Sequence, residues 1–242
     1  MVLVVTSGKG GVGKSTICVG LAASFCRNGK KVLLIDTDEG MRCLDGMLGI
    51  SKDIMLDLSD AQNSPEEYKQ AVTTVDTICG LSVIAAPSEF GSIVSEKFGA
   101  VIKMAENDYD IVMVDCPAGV DEKYYSALPI DSKVLVVTNS DAAAVNGAMN
   151  AGLMVKRLGI GNVRLIVNKF SGKKVGRLHD NIDAIVDKTG MGLIGIVPYD
   201  EEIVKSSAKN KPSEWGRGSM AFSRIAARIN GARILLPKTG RI

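Results

Sequence analysis

A doubly wound α/β fold with a mainly parallel sheet is what this sequence predicts, and three observations predict it. Short, continuous apolar runs recur along the chain, as expected of strands buried on both faces. Segments with apolar residues at helical spacing alternate with them, which points to strand–helix–strand units. The first apolar run leads directly into a glycine-rich loop and then a helical pattern. Of the 242 residues 46% are hydrophobic, and no linker, repeat or low-complexity tract interrupts them, so one domain over 1–242 is expected. Aromatics make up only 5%, so the core should be aliphatic.

Taken in order, the strands fall at residues 2–6, 32–35, 81–85, 111–114, 133–138, 163–167 and 193–197. The first helix spans 14–28, with Ile17, Leu21 and Phe25 on one side and Gly29 as its stop. Further helices are expected at 95–107, 142–158, 177–188 and 220–230, with Asp141 capping the third of these five. Residues 63–67 (NSPEE) and 210–219 read as surface loops.

Charge is uneven although the total is only +2. Residues 204–242 carry nine Lys or Arg against Glu214 alone, a balance of +8 that leaves −6 for the rest. Such an end suits an anionic surface, whether lipid or nucleic acid, or a solvated helix face. The five cysteines (Cys18, Cys26, Cys43, Cys79, Cys116) form no C-x-x-C pair and are odd in number. That excludes a disulfide framework or zinc site as the organising feature and fits reduced cytosolic thiols. No apolar run approaches a membrane span, and the first strand leaves no room for a leader, so a cytoplasmic protein is expected.

The chemistry concentrates in TSGKGGVGKST, residues 6–16. Gly8 to Gly13 fit G-x-G-x-x-G, and Asp36 follows at the distance of a ribose-binding acid, so a dinucleotide loop is one reading. Gly8 to Ser15 also fit G-x-x-x-x-G-K-[ST], a phosphate loop. Lys14 and Ser15 separate the two. A phosphate loop needs a lysine on the β- and γ-phosphates and a hydroxyl on Mg²⁺, whereas a dinucleotide loop leaves Lys14 unused. The phosphate loop further requires an acid at the end of another buried strand. IVMVDCPAG supplies Asp115. A nucleoside triphosphate with Mg²⁺ is therefore the expected ligand, held in the loop made of Gly8, Lys9, Gly10, Gly11, Val12, Gly13, Lys14, Ser15 and Thr16.

Lys9 is unexplained by either pattern. KGGVGKST resembles the deviant Walker A motif of the MinD/ParA class of P-loop ATPases, with its MinD-like (SIMIBI) fold. The resemblance implies that Lys9 reaches across an ATP-bridged homodimer and neutralises charge on the partner's nucleotide, as an arginine finger does. IDTDEGMRCLD is similar to the MinD stretch D-x-D-x-G-x-R-x-L-D, which implies that Asp36 supports the Mg²⁺ shell with Ser15 and Asp115, and that Asp38 orients the attacking water. DCPAGVD resembles a second γ-phosphate-sensing switch. IVNKF and IVPYDEEI resemble the family's adenine-side segments, placing Asn168, Pro198 and Asp200 near the base; Pro198–Asp200 also reads as a plain strand-ending turn. The catalytic set implied is Lys9, Lys14 and Asp38.

The resemblance is nearer to MinD than to ParA, since Gly8 precedes the loop lysine and no D-x-D-P-Q-G follows. It implies an ATPase that dimerises on ATP, answers to a protein activator or division inhibitor, and positions the division site. A ParA-like DNA-binding role and a flagellar-number role are the alternatives. One departure stands out. The family's C-terminal amphipathic membrane helix is expected to be short or missing, because Pro237 closely follows Arg233, Ile234, Leu235 and Leu236. Only a weak contact with membrane or DNA is expected from the basic end, 231–242.

Overall fold

The computed structural model describes residues 1–119, 121–171, 182–208 and 216–236. Eight strands form one sheet: β1 (Val2–Ser7), β2 (Val32–Asp36), β3 (Thr73–Thr74), β4 (Leu81–Ile84), β5 (Ile111–Ala118), β6 (Lys133–Thr138), β7 (Val163–Phe170) and β8 (Gly192–Pro198). Their spatial order is β3-β4-β2-β5-β1-β6-β7-β8. Every pairing is parallel except β3 with β4. Strands β2, β4 and β5 lie on one side of β1, and β6 to β8 on the other. The winding therefore reverses beside β1, and in such sheets ligands bind outside the carboxyl ends of the strands at that point.

Helices cover both faces. On one side lie α1 (Lys14–Arg27), α2 (Cys43–Leu48) and α9 (Gly216–Ile229); the other side carries α4 (Ser95–Ala105), α5 (Glu122–Ser126), α6 (Ala142–Arg157) and α7 (Ile182–Thr189). The continuous strand runs follow from this double cover. In β1, Val2 and Val4 enter one apolar cluster while Leu3 and Val5 enter the other, the period-2 alternation of a strand with no solvent face. On α1, Ile17, Leu21 and Phe25 are fully buried as the spacing requires. Each such side chain contributes about 1.5–3 kcal/mol by leaving water. Phe222 of α9 packs over Gly20 of α1, where an added Cβ would lie 2.6 Å from the ring. The phosphate-loop helix is thereby locked to the C-terminal helix.

Differences from expectation have local causes. Strands β5 and β7 run past their apolar stretches, because Ser7 of β1 pairs with Ala118 and Pro198 of β8 with Phe170 beyond register shifts. Asp115 and Asn168 thus lie inside strands and not at their ends. The expected loop 63–67 is instead the end of α3 (Leu58–Asn63) and the start of a 3-10 helix (Pro65–Ala71); Asp57 and Asp60 cap α3 reciprocally, a signal the sequence reading passed over. Helix α9 begins at Gly216, so 216–219 is helical, while 210–215 lies outside the described residues. Residues 177–181 of the expected fourth helix also lie outside them, and Ile182–Thr189 is helical as expected. Helix α8 (Glu201–Ala208) follows β8. Among the described residues no helix is long and apolar enough to cross a membrane.

Candidate functional site

The loop between β1 and α1 bends at two glycines, Gly11 with φ 77° and Gly13 with φ 96°, a region that side chains disfavour. Gly13 is also the N-cap of α1 and offers no side-chain acceptor, so the first-turn N–H groups remain for an anion. Three loop carbonyls are claimed by protein donors. The Ser7 hydroxyl donates to Lys9 O at 2.8 Å, the Lys169 ammonium to Gly11 O at 2.7 Å and the Asn168 amide to Val12 O at 2.8 Å. In a trans peptide the N–H points opposite to its C=O. Tying these carbonyls therefore turns the N–H groups of Gly10, Val12 and Gly13 the other way, as a phosphate cradle needs. Lys14 is buried at the first turn of α1, and Ser15 and Thr16 beside it are half-buried.

Gly8 has a reason beyond the pattern. A Cβ there would fall on the backbone of Gly147 in α6, and one on Gly147 would strike Gly8 in return. The glycine pair lets the loop cross α6 in direct backbone contact.

Asp36 and Asp115 face each other in register on β2 and β5, both about 1% exposed. Asp36 accepts N–H groups from Asp38 at 2.9 Å and Leu44 at 3.2 Å. Both Asp115 oxygens are buried and neither makes a well-formed hydrogen bond, although the Ser15 hydroxyl and the Cys18 thiol lie near enough to act on the carboxyl. Burial raises both carboxyls, the Asp115 charge raises Asp36 further, and the Ser15 hydroxyl and Lys14 ammonium pull Asp115 back only in part. Two orphaned carboxylate oxygens in the interior are a costly arrangement that a hard divalent cation would relieve. Among the described residues no cluster of three or more His, Cys, Asp or Glu could hold a metal. A cation held by carboxylates beside a phosphate loop fits the oxygen-ligand habit of Mg²⁺. Cys116, adjacent to Asp115, is buried with its thiol pushed far up by burial and the Asp115 charge, which suits a packing role and not a cluster ligand.

Lys9 is exposed, and its ammonium pairs with the Asp141 carboxylate within the same chain. Asp141 also caps α6 through Ala143 N at 2.9 Å, as expected, and the Lys9 ammonium holds its carboxyl below the usual range. Both partners are more than 40% exposed, so solvent screens the pair and it opens readily. Asp38 is half-buried in a tight turn whose carbonyl accepts Met41 N and Arg42 N. Glu39 beside it is 5% exposed; burial alone would raise its carboxyl, but the Lys123 ammonium and further donors hold it below the ordinary value. Backbone contacts join the neighbouring loops: Thr37 N and Oγ1 donate to Asp115 O, and Gly119 N donates to Ser7 O.

At the other edge Asn168 is buried under the loop, and Pro198 ends β8. Asp200 accepts Glu202 N at 2.8 Å and Gly218 N at 3.2 Å, capping α8 and fixing the start of α9, which accords with the turn reading. The sequence reading missed Gly147, Lys169 and the Glu39–Lys123 pair. Lys169 left one faint signal, a charged residue inside an apolar strand end. Its φ of 55° aims it back at the loop.

Fold and loop together define a P-loop nucleotide-binding domain. Residues 3–213 match the family model for the CobQ/CobB/MinD/ParA nucleotide binding domain. The chain is 34% identical over 243 residues to the septum site-determining protein MinD of Bacillus subtilis (strain 168), covering 97% of this chain and 90% of that one. The MinC:MinD cell division protein complex of Aquifex aeolicus superposes with a TM-score of 0.88 at 30% identity over 98% of each chain. MinD of Pyrococcus horikoshii OT3, solved complexed with Mg-ADP, shares the fold with a TM-score of 0.81 at 24% identity, covering 96% of this chain and 99% of that one. The chain belongs to the MinD/ParA family of nucleotide-binding domains and is similar to MinD along most of its length.

Proposed function

We propose that this protein is a MinD-like, Mg²⁺-dependent ATPase that dimerises on ATP and hydrolyses it to time the positioning of the division site. The carrying observation is the pair of orphaned Asp115 oxygens beside a lysine-bearing glycine loop at an uncapped helix start. Lys14 and the loop N–H groups grip the phosphates, and Lys9 leaves Asp141 to meet the partner's nucleotide. Asp38 orients a water for attack on the γ-phosphorus. As that bond forms, the bond to the β–γ bridging oxygen breaks, giving ADP and phosphate, with the water's proton passing to phosphate or solvent. Mg²⁺, held by Ser15 and Asp115 with Asp36 behind, would supply charge neutralisation on the phosphates. Asn168, Pro198 and Asp200 border the base.

Hydrolysis then acts as a timer, because only the ATP state stabilises the dimer that partners recognise. A MinC-like division inhibitor and a protein activator are the partners this reading calls for, as a MinC:MinD complex is known from Aquifex aeolicus. The protein would work in the cytoplasm and at the inner face of the membrane, through a weak contact. Ile234, Leu235 and Leu236 are 40%, 90% and 40% exposed next to Arg233. The surplus of +8 over 204–242 favours a second reading, ATP-dependent DNA binding.

Light scattering on the Asp38→Ala variant, which binds ATP without turning it over in this account, tests the switch. Dimer mass in Mg-ATP, monomer mass in Mg-ADP and monomer mass for Lys9→Ala/Asp38→Ala in either are expected. A mass indifferent to nucleotide would refute it.

A further inference from the structure

Glu39 lies in the loop after β2, one residue beyond Asp38, at a position the family pattern leaves open. Its carboxylate gathers three separate segments. One oxygen accepts Ile93 N at 2.7 Å, from the loop before α4. The other accepts the Lys123 ammonium at 2.8 Å and the Tyr124 hydroxyl at 3.0 Å, both on α5. Lys123 also rests over the Tyr124 ring at 4.7 Å. Helix α5 is the element that follows β5, the strand carrying Asp115, and Asp121 caps it by accepting Lys123 N at 3.0 Å. The loops after β2 and β5 are thus joined twice: at the base by Thr37 on the Asp115 carbonyl, and at the tip by Glu39 on Lys123. Asp38 is between the two ties.

Glu39 is buried while Lys123 is half-exposed, and a pair with one buried member is a poor device for stability, since desolvation of that member offsets much of the attraction. It is a good device for fixing geometry, because breaking one partner strands the other. We propose that Glu39 and Lys123 are positioning residues that make the two γ-phosphate-facing loops move as one unit, holding Asp38 where it can orient water. The inference rests on the ATPase reading for its chemistry, and its mechanical part stands without it. Both Glu39 oxygens are taken by protein donors, so in this proposal the pair acts through Asp38.

The test uses Glu39→Gln, Lys123→Met, their double variant and Lys123→Arg. Roughly a tenfold loss of kcat with KM for ATP nearly unchanged is expected for both single variants, a double variant no worse than either, and recovery in Lys123→Arg. Equal kcat in all variants, or a change in KM alone, overturns the proposal. Hydrogen exchange of the nucleotide-free protein separates this from failure of the ATPase reading. Glu39→Gln should speed exchange together in segments 37–42, 91–94 and 121–126. Faster exchange confined to 37–42 overturns the coupling, whether or not the wild type hydrolyses ATP.

Discussion

Asp36 and Asp115 set the electrostatics at the scale of single residues. Their carboxyls are raised by burial, and further by the Asp115 charge on Asp36 and the Asp38 charge on Asp115, so the nucleotide-free protein holds protons that the unfolded chain has released. The unfolded chain binds fewer protons across that range, so stability falls with rising pH. The window opens near the ordinary carboxylate value of about 4 and closes as pH passes the raised folded values. Nucleotide-free protein should therefore lose unfolding temperature towards neutrality, and Asp36→Asn should flatten the slope. A differential scanning series over pH checks this, and an equal slope in the variant would contradict it. The residue types at this site were legible in the sequence because each belongs to a spaced pattern. Gly8 was legible only in part: the pattern marks it for phosphate, while its tightest constraint comes from Gly147. Lys169 was only faintly legible and Glu39 not at all, because their partners Gly11 and Lys123 are far away in sequence and no local period joins them.

At the scale of elements, strand positions followed from continuous apolar runs, and the double cover by helices explains why those runs do not alternate. Strand ends were less legible. Residues from Asp115 onward, and from Asn168 onward, still pair because neighbouring strands extend alongside them. The crossing of α6 over the phosphate loop is invisible in either segment alone. Gly147→Ala adds a methyl where two backbones meet, an overpacking worth about 1–3 kcal/mol. Since β1 and α6 are both anchored, the loop is the part that yields. The variant should remain folded, with a lower unfolding temperature, and bind Mg-ATP at least several-fold more weakly in calorimetry. Unchanged affinity would show that the loop does not depend on this contact.

On the scale of the whole molecule, Lys9 faces solvent, and among the described residues its ammonium pairs with the exposed Asp141 carboxylate. In the proposed dimer that exposed lysine is lent to the other chain. The basic end and the exposed Ile234–Leu236 segment lie beyond α9, whose Phe222 contacts the helix that begins at the phosphate loop. The central claim is that Lys9 acts in trans. Mixing Lys9→Ala with Asp38→Ala tests it most directly, by assaying ATP hydrolysis of each variant alone and of the mixture. In a mixed dimer the Lys9→Ala subunit keeps its own Asp38 and receives its partner's Lys9. The account predicts two inactive proteins that regain hydrolysis when combined. A mixture as inactive as its parts would place Lys9 in its own site and contradict the account.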